Sequence, residues 1–109
     1  MARFVAGDVV IVPFPYTNQA GVKKRPAVVL CETGGNDLLV CMITSAAFGS
    51  DTIPLDKKNL ASSGLRVACA VRPDRLLVVS PDLVEKKTGR LSKEMVSEIK
   101  AVLVKWLQS

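Results

Sequence analysis

Ala27-Val28-Val29-Leu30-Cys31 and Leu38-Leu39-Val40-Cys41-Met42-Ile43 are two apolar runs with Gly34-Gly35-Asn36-Asp37 between them. Each run is too short for an independent helix and is rich in β-branched residues, so each reads as a strand. The intervening residues tolerate positive φ and make a hairpin turn. The spacing therefore predicts one strand from about Arg25 to Glu32 and its return from Leu38 to Thr44. A sheet with one wet face alternates apolar and polar residues, and these runs do not alternate. Both faces should be covered, one by a barrel interior and the other by a helix or a second subunit. This is the sequence argument for a homodimer.

Working outward, Gly7-Asp8 opens a strand, Val9-Val10-Ile11-Val12, that ends at Pro13-Phe14-Pro15. Tyr16 to Val22 reads as a polar loop, Ala46 to Asp51 as a loop of small residues, and Thr52 to Leu55 as a short strand. Lys57 to Gly64 reads as a loop with room for a helical turn. Leu65 to Arg72 and Arg75 to Val79 read as two further strands, and Thr88-Gly89-Arg90 as a break. Ser92 then caps a helix with apolar positions Met95, Val96, Ile99, Val102, Leu103, Trp106 and Leu107, the spacing of one helical face. Leu91 is placed to pack on Val96 as a hydrophobic staple, and Trp106 is expected in the core. Five or six short strands with one terminal helix predict a mainly β (α+β) fold, a small, strongly twisted barrel. The 109 residues are expected to form a single domain, 1–109.

Hydrophobic residues make up 49% of the chain, which excludes a disordered protein. No apolar stretch approaches the roughly 20 residues of a membrane span, and Met1-Ala2-Arg3-Phe4 does not open a signal peptide. The expected location is the cytoplasm, without membrane association. Cys31, Cys41 and Cys69 are odd in number, form no CxxC pair, and read as small buried hydrophobes. The net charge is +5. Residues 1–54 carry four basic and four acidic groups and residues 55–109 eleven and six, so the second half holds the whole excess. Such a surface suits nucleic acid, and it equally suits an acidic protein segment.

The chain has no histidine. That removes a Ser-His-Asp triad, a Cys-His pair and two-histidine RNA hydrolysis. No Gly-rich phosphate loop precedes a helix, and carboxylates do not cluster at metal-ligand spacing. Three places remain for chemistry. Lys23-Lys24-Arg25-Pro26 lies at a strand start and offers a phosphate clamp, the arginine fork suiting bidentate contact; it also reads as a solvated strand end. Thr44-Ser45 ends a buried strand in two hydroxyls that serve either a phosphate or the turn's own backbone. Arg72-Pro73-Asp74-Arg75 sets a carboxylate between guanidinium groups, where it should stay ionised; Pro73-Asp74 is also a good turn.

At these residues the chain resembles the MazF/PemK toxin family. Gly7-Asp8-Val9-Val10, Pro13-Phe14, Lys24-Arg25-Pro26-Ala27-Val28-Val29-Leu30, Ile43-Thr44-Ser45, Gly64-Leu65, Val71-Arg72-Pro73-Asp74 and Gly89-Arg90-Leu91-Ser92 follow the family's order over nearly the whole chain. The resemblance implies an SH3-like barrel that dimerises, with an RNA groove across the dimer. It implies an acidic antitoxin as partner, operator DNA bound only by the toxin–antitoxin complex, and no cofactor or metal. It further implies sequence-specific cleavage of single-stranded mRNA, leaving a 2′,3′-cyclic phosphate and a 5′-hydroxyl and so inhibiting translation and growth.

By the same resemblance Arg25, Thr44, Arg72 and Asp74 are the catalytic set. Asp74 would serve as base, Arg25 would stabilise the phosphorane, Arg72 would donate a proton or add charge, and Thr44 would orient the phosphate. Lys23, Lys24, Ser45 and Arg75 are expected to bind RNA. The first loop lacks the histidine of some PemK-like members and offers Asn18 and Gln19 instead, while Tyr16 and Phe48 are candidates for base stacking. Two other readings stand beside this one: a CcdB-like gyrase poison of the same fold, and a noncatalytic RNA-binding barrel or decayed toxin.

Overall fold

The two apolar runs form the central hairpin. The computed structural model describes residues 4–15, 21–45 and 51–109. Strands β2 (Val22–Glu32) and β3 (Leu38–Thr44) are antiparallel, with Ala27 opposite Met42, Val28 opposite Cys41 and Val29 opposite Val40. Their turn is closed by the Thr33 N–H, which donates to the Asp37 carbonyl at 2.8 Å. Asn36 within it has a φ of 67°, which its short polar side chain tolerates.

Strand β1 (Asp8–Pro15) pairs with the other side of β2, and β6 (Lys86–Arg90) pairs with β1. Strand β5 (Ala70–Val79) lies beside β3, and the short β4 (Ile53–Pro54) lies beside β5. The order is β4-β5-β3-β2-β1-β6, antiparallel throughout. The expected barrel is a curled half-barrel whose edges, β4 and β6, do not pair with each other. Helix α1 (Lys57–Ser63) follows β4, and helix α2 (Lys93–Gln108) ends the chain. No helix among the described residues is long and apolar enough to cross a membrane.

The lack of alternation in the hairpin has a direct cause. Val9, Val28, Leu30, Cys41, Ile43 and Val71 face one core, together with Leu91 and the α2 residues Met95, Val96 and Ile99. Val10, Val12, Phe14, Ala27, Val29, Val40 and Met42 face a second core, against Phe4, Leu77 and Val84. Helix α2 thus covers the face that a second subunit would otherwise have had to cover.

The two helices and β6 are locked together by polar contacts. Asp56 caps α1, its carboxylate accepting from the Asn59 backbone N–H at 2.8 Å. Asn59 is buried, and its side-chain oxygen accepts from the Ser92 N–H at 2.7 Å, tying the start of α1 to the start of α2. Ser92 caps α2, accepting from the Met95 N–H at 3.1 Å. The Thr88 hydroxyl donates to the Ser63 carbonyl at 2.8 Å. This approach is close enough that a Cβ on Gly89 would run into the Ser62 and Ser63 backbone. Gly64 ends α1 in the left-handed region, at φ 79°. The fully buried Asp8 accepts from the Val5 N–H and from Arg90 Nε, both at 2.9 Å, pinning β1 to β6.

Five features differ from the sequence expectation. Leu65 to Arg72 and Arg75 to Val79 are not two strands, because one strand, β5, runs through Pro73. Lys57 to Gly64 holds a full helix. The expected break at Thr88-Gly89-Arg90 is strand β6, which forms by pairing with β1 despite its polar composition. Trp106 is exposed, since α2 extends beyond the surface that can cover it; burial along the helix falls from Ile99 through Val102 and Leu103 to Leu107 at 85% exposed. Cys31 is exposed, whereas Cys41 and Cys69 are buried as expected.

Two outcomes follow from this packing. Gly89→Ala forces α1 away from β6 and should cost about 1–3 kcal/mol, read as a lowered denaturation midpoint at unchanged m-value. Burial, and secondarily the charge of Asp74, pushes the Cys41 thiol up to about 12, and burial raises Cys69. Iodoacetamide at pH 8 should therefore modify Cys31 alone in the folded protein and all three cysteines after denaturation, as counted by mass spectrometry.

Candidate active site

The side chains singled out for chemistry are sorted by strand register. Cross-strand partners project to the same face, and Arg25 pairs with Val12, a residue of the second core. Arg25 therefore projects to that core's side of the sheet. Continued two residues past its last pair, the Ala27–Met42 register would set Arg25 opposite Thr44. Thr44 pairs on its other side with Ala70 of β5. Arg72 lies two residues beyond Ala70, at the start of a segment of β5 that leaves the ladder. Lys23 pairs with Phe14 and lies on this side too, exposed. Arg25, Thr44 and Arg72, separated by up to 47 positions in the chain, thus lie on the three neighbouring strands β2, β3 and β5.

Arg72 is fixed by Asp74. Its Nη2 donates to Oδ2 at 2.7 Å and its Nε to Oδ1 at 3.2 Å, a fork-on-fork pair. Both side chains are about one-third exposed, so the pair is accessible while its geometry is held. It sits on an irregularity of β5. Ile43 of β3 pairs with Val71 and Cys41 pairs with Leu76, so the single residue Met42 is matched by Arg72, Pro73, Asp74 and Arg75. This bulge takes the segment out of the ladder and accommodates Pro73, which has no N–H to contribute. On the inner side of the bulge the Cys41 thiol donates to the Arg72 carbonyl at 3.0 Å.

The remaining candidates are placed differently. Ser45 follows Thr44 and is exposed, and Arg75 is half-buried at the end of the bulge. Lys24 pairs with Pro13 and lies on the side of the sheet opposite Arg25. Its ammonium makes a 2.6 Å ion pair with Glu85, so Lys23-Lys24-Arg25 is divided between two faces. Tyr16, Gln19 and Phe48 lie outside the described residues. Among the described residues no three Cys, Asp or Glu side chains are grouped to hold a metal ion. A shallow concavity beside α2, bordered by Ala101, Val104, Lys105 and Gln108, lies on a helix that packs against the other core and has no part in this face.

Sequence reasoning missed Glu85 and Cys41. Glu85 reaches Lys24 across 61 positions. Cys41 is hidden in an apolar run where nothing local separates it from its neighbours.

The fold has counterparts among solved structures. A search of curated proteins gave no match. Among solved structures the chain is similar to MazF from Deinococcus radiodurans, with a TM-score of 0.75 and 21% identity over 100% of both chains. It is similar to a MazE–MazF structure from the same organism, with a TM-score of 0.73, 23% identity and 96% of each chain covered. It is also similar to an endoribonuclease in complex with its cognate antitoxin from a mycobacterial species, with a TM-score of 0.74, 13% identity and 97% of this chain and 96% of that one covered. At these identities the likeness speaks for the fold. The family model for PemK-like, MazF-like toxins of type II toxin–antitoxin systems matches residues 6–107, and the chain belongs to that family.

Proposed function

We propose that the chain is a sequence-specific endoribonuclease that cuts single-stranded mRNA in the cytoplasm, and that it is the toxin of a pair whose other member is an acidic antitoxin. The observation carrying this reading is that the Arg72–Asp74 ion pair sits on a bulge of β5 beside Thr44 of β3, the strand next to the one that carries Arg25. The reaction has three requirements: a proton must leave the RNA 2′-hydroxyl, negative charge must be stabilised at phosphorus, and the leaving 5′-oxygen must be protonated. RNA supplies its own nucleophile, so no metal or cofactor is needed. The products are a 2′,3′-cyclic phosphate and a 5′-hydroxyl.

Asp74 takes the 2′-hydroxyl proton. A carboxylate has about four lone-pair sites, so two contacts from Arg72 leave room for the incoming hydroxyl. Arg25 stabilises the phosphorane and Thr44 orients the scissile phosphate. Arg72, held planar against Asp74, adds positive charge at the leaving oxygen. A guanidinium is a poor acid, which favours charge stabilisation for it, and the leaving 5′-oxygen takes its proton from solvent water while Asp74 holds the proton removed from the 2′-hydroxyl. Lys23, Ser45 and Arg75 contact flanking phosphates, whereas Lys24, on the other side of the sheet and paired with Glu85, is left out of this set. Tyr16 and Gln19, outside the described residues, are proposed as further RNA contacts. The working unit is a homodimer, supported by exposed apolar side chains at Leu76 and Val78 of β5 and Val104, Trp106 and Leu107 of α2. Operator DNA is bound only by the complex with the antitoxin.

Incubation with a long unstructured RNA in EDTA, followed by mapping of the new ends, should give discrete cuts at one short sequence with 5′-hydroxyl termini. Intact RNA across many sequences would defeat the reading. Arg25→Ala should lower the rate about 100-fold or more while leaving the melting temperature and oligomeric state unchanged. A single 2′-deoxy substitution at the cut position should stop cleavage there.

A further inference from the structure

The bulge that carries Arg72 and Asp74 has a constraint that the catalytic assignment does not use. At Cys41 and Ile43 the β3–β5 ladder parts, and four residues of β5 span the place of one residue of β3. Carbonyls in such a segment lose their ladder partners and must be satisfied elsewhere. The Arg72 carbonyl accepts from the Cys41 thiol at 3.0 Å. Cys41 is fully buried and packed in the first core beside Val9, Val28 and Ile43, so the donor cannot swing away. Pro73, the next residue, stiffens the backbone immediately after that carbonyl. Two residues on, Asp74 grips the Arg72 guanidinium. Arg72 is therefore held at both ends, its backbone by a thiol in the first core and its side chain by the Asp74 carboxylate.

We propose that Cys41 is a positioning residue for the Arg72–Asp74 pair, its thiol fixing the Arg72 carbonyl and with it the height at which the guanidinium meets the substrate. This rests on the functional roles given to Arg72 and Asp74 above. A buried cysteine ordinarily serves as a small hydrophobe; here the S–H is also the donor that closes the bulge. No chemistry occurs at sulfur, and the thiol keeps its proton throughout.

The test compares Cys41→Ala, which removes the donor, with Cys41→Ser, which restores one. In Cys41→Ala kcat should fall about tenfold, the scale of a small misplacement of a catalytic group, with KM little changed. In Cys41→Ser kcat should recover to within about threefold of the parent, although a hydroxyl in an apolar pocket makes that variant no more stable than the alanine one. If kcat instead follows melting temperature across the two variants, the role is packing alone and the proposal is overturned. A second readout does not depend on cleavage. The 15N-labelled Arg72 Nε–H, which donates to Asp74, should give one sharp NMR signal in the parent, a shifted or broadened one in Cys41→Ala, and a parent-like one in Cys41→Ser. An unchanged signal in Cys41→Ala overturns the proposal. A signal that responds as expected in a protein that cuts no RNA upholds the positioning role and removes the nuclease reading instead.

Discussion

The register between β2 and β3 is the constraint on which the rest depends. With Ala27 opposite Met42 and Val28 opposite Cys41, each strand divides its side chains between two cores. A slip of one residue reverses every side chain of the slipped strand. It would set Arg25 and Thr44 on opposite sides of the sheet and exchange the contents of the two cores. In many one-sided sheets a slip trades apolar residues for polar ones and is punished by that alone. Here both sides are apolar, so the penalty comes from shape and from the ends of the strands. Each fully buried Val or Leu contributes about 1.5–3 kcal/mol, but only against the neighbours cut to receive it. The turn, with Asn36 at positive φ and the Thr33–Asp37 hydrogen bond, sets the count from which the register runs.

The charged groups divide in the same way. Asp8 is fully buried, and Arg90 at 2.9 Å and Lys87 at 3.9 Å close on it from β6, so loss of Arg90 would leave the buried carboxylate with only the more distant cation. That pair belongs to the scaffold. Lys24–Glu85 is exposed at both ends and adds little to stability. Arg72–Asp74 lies between these limits, and its value is orientation rather than stability. Two planar groups joined by two hydrogen bonds have few ways to turn, which suits the role proposed for them beside a phosphate.

Most of the scaffold was legible in the sequence because its signals are local. The Gly34 to Asp37 turn, the Ser92 cap and the spacing of Met95, Val96 and Ile99 each depend on a few neighbouring residues. The misreadings have physical causes of the opposite kind. Lys86-Lys87-Thr88-Gly89-Arg90 has no strand-like pattern and is a strand only because β1 has a free edge to offer. Pro73-Asp74 looks like a turn between strands, and it becomes a bulge inside one strand because β3 continues past it on the other side. Trp106 fits the helical period, but the period runs on after the sheet beneath has ended. The candidate site was legible as a set of residues through family resemblance. Its convergence was not, since that requires the register of three strands at once, and Cys41 gave no sign of itself.

The link between α1, β6 and α2 has a consequence for synthesis. β1 is made early, yet its outer neighbour β6 and the helix over Val9 come from residues 86–108. Asn59 likewise waits for Ser92. Contacts of such sequence separation form late, so an emerging chain lacks a finished first core until residues 86–108 have left the ribosome. On the function proposed above, a toxin built this way would have no active fragment to release while it is being translated. An antitoxin would then meet either an unfinished sheet or a completed one.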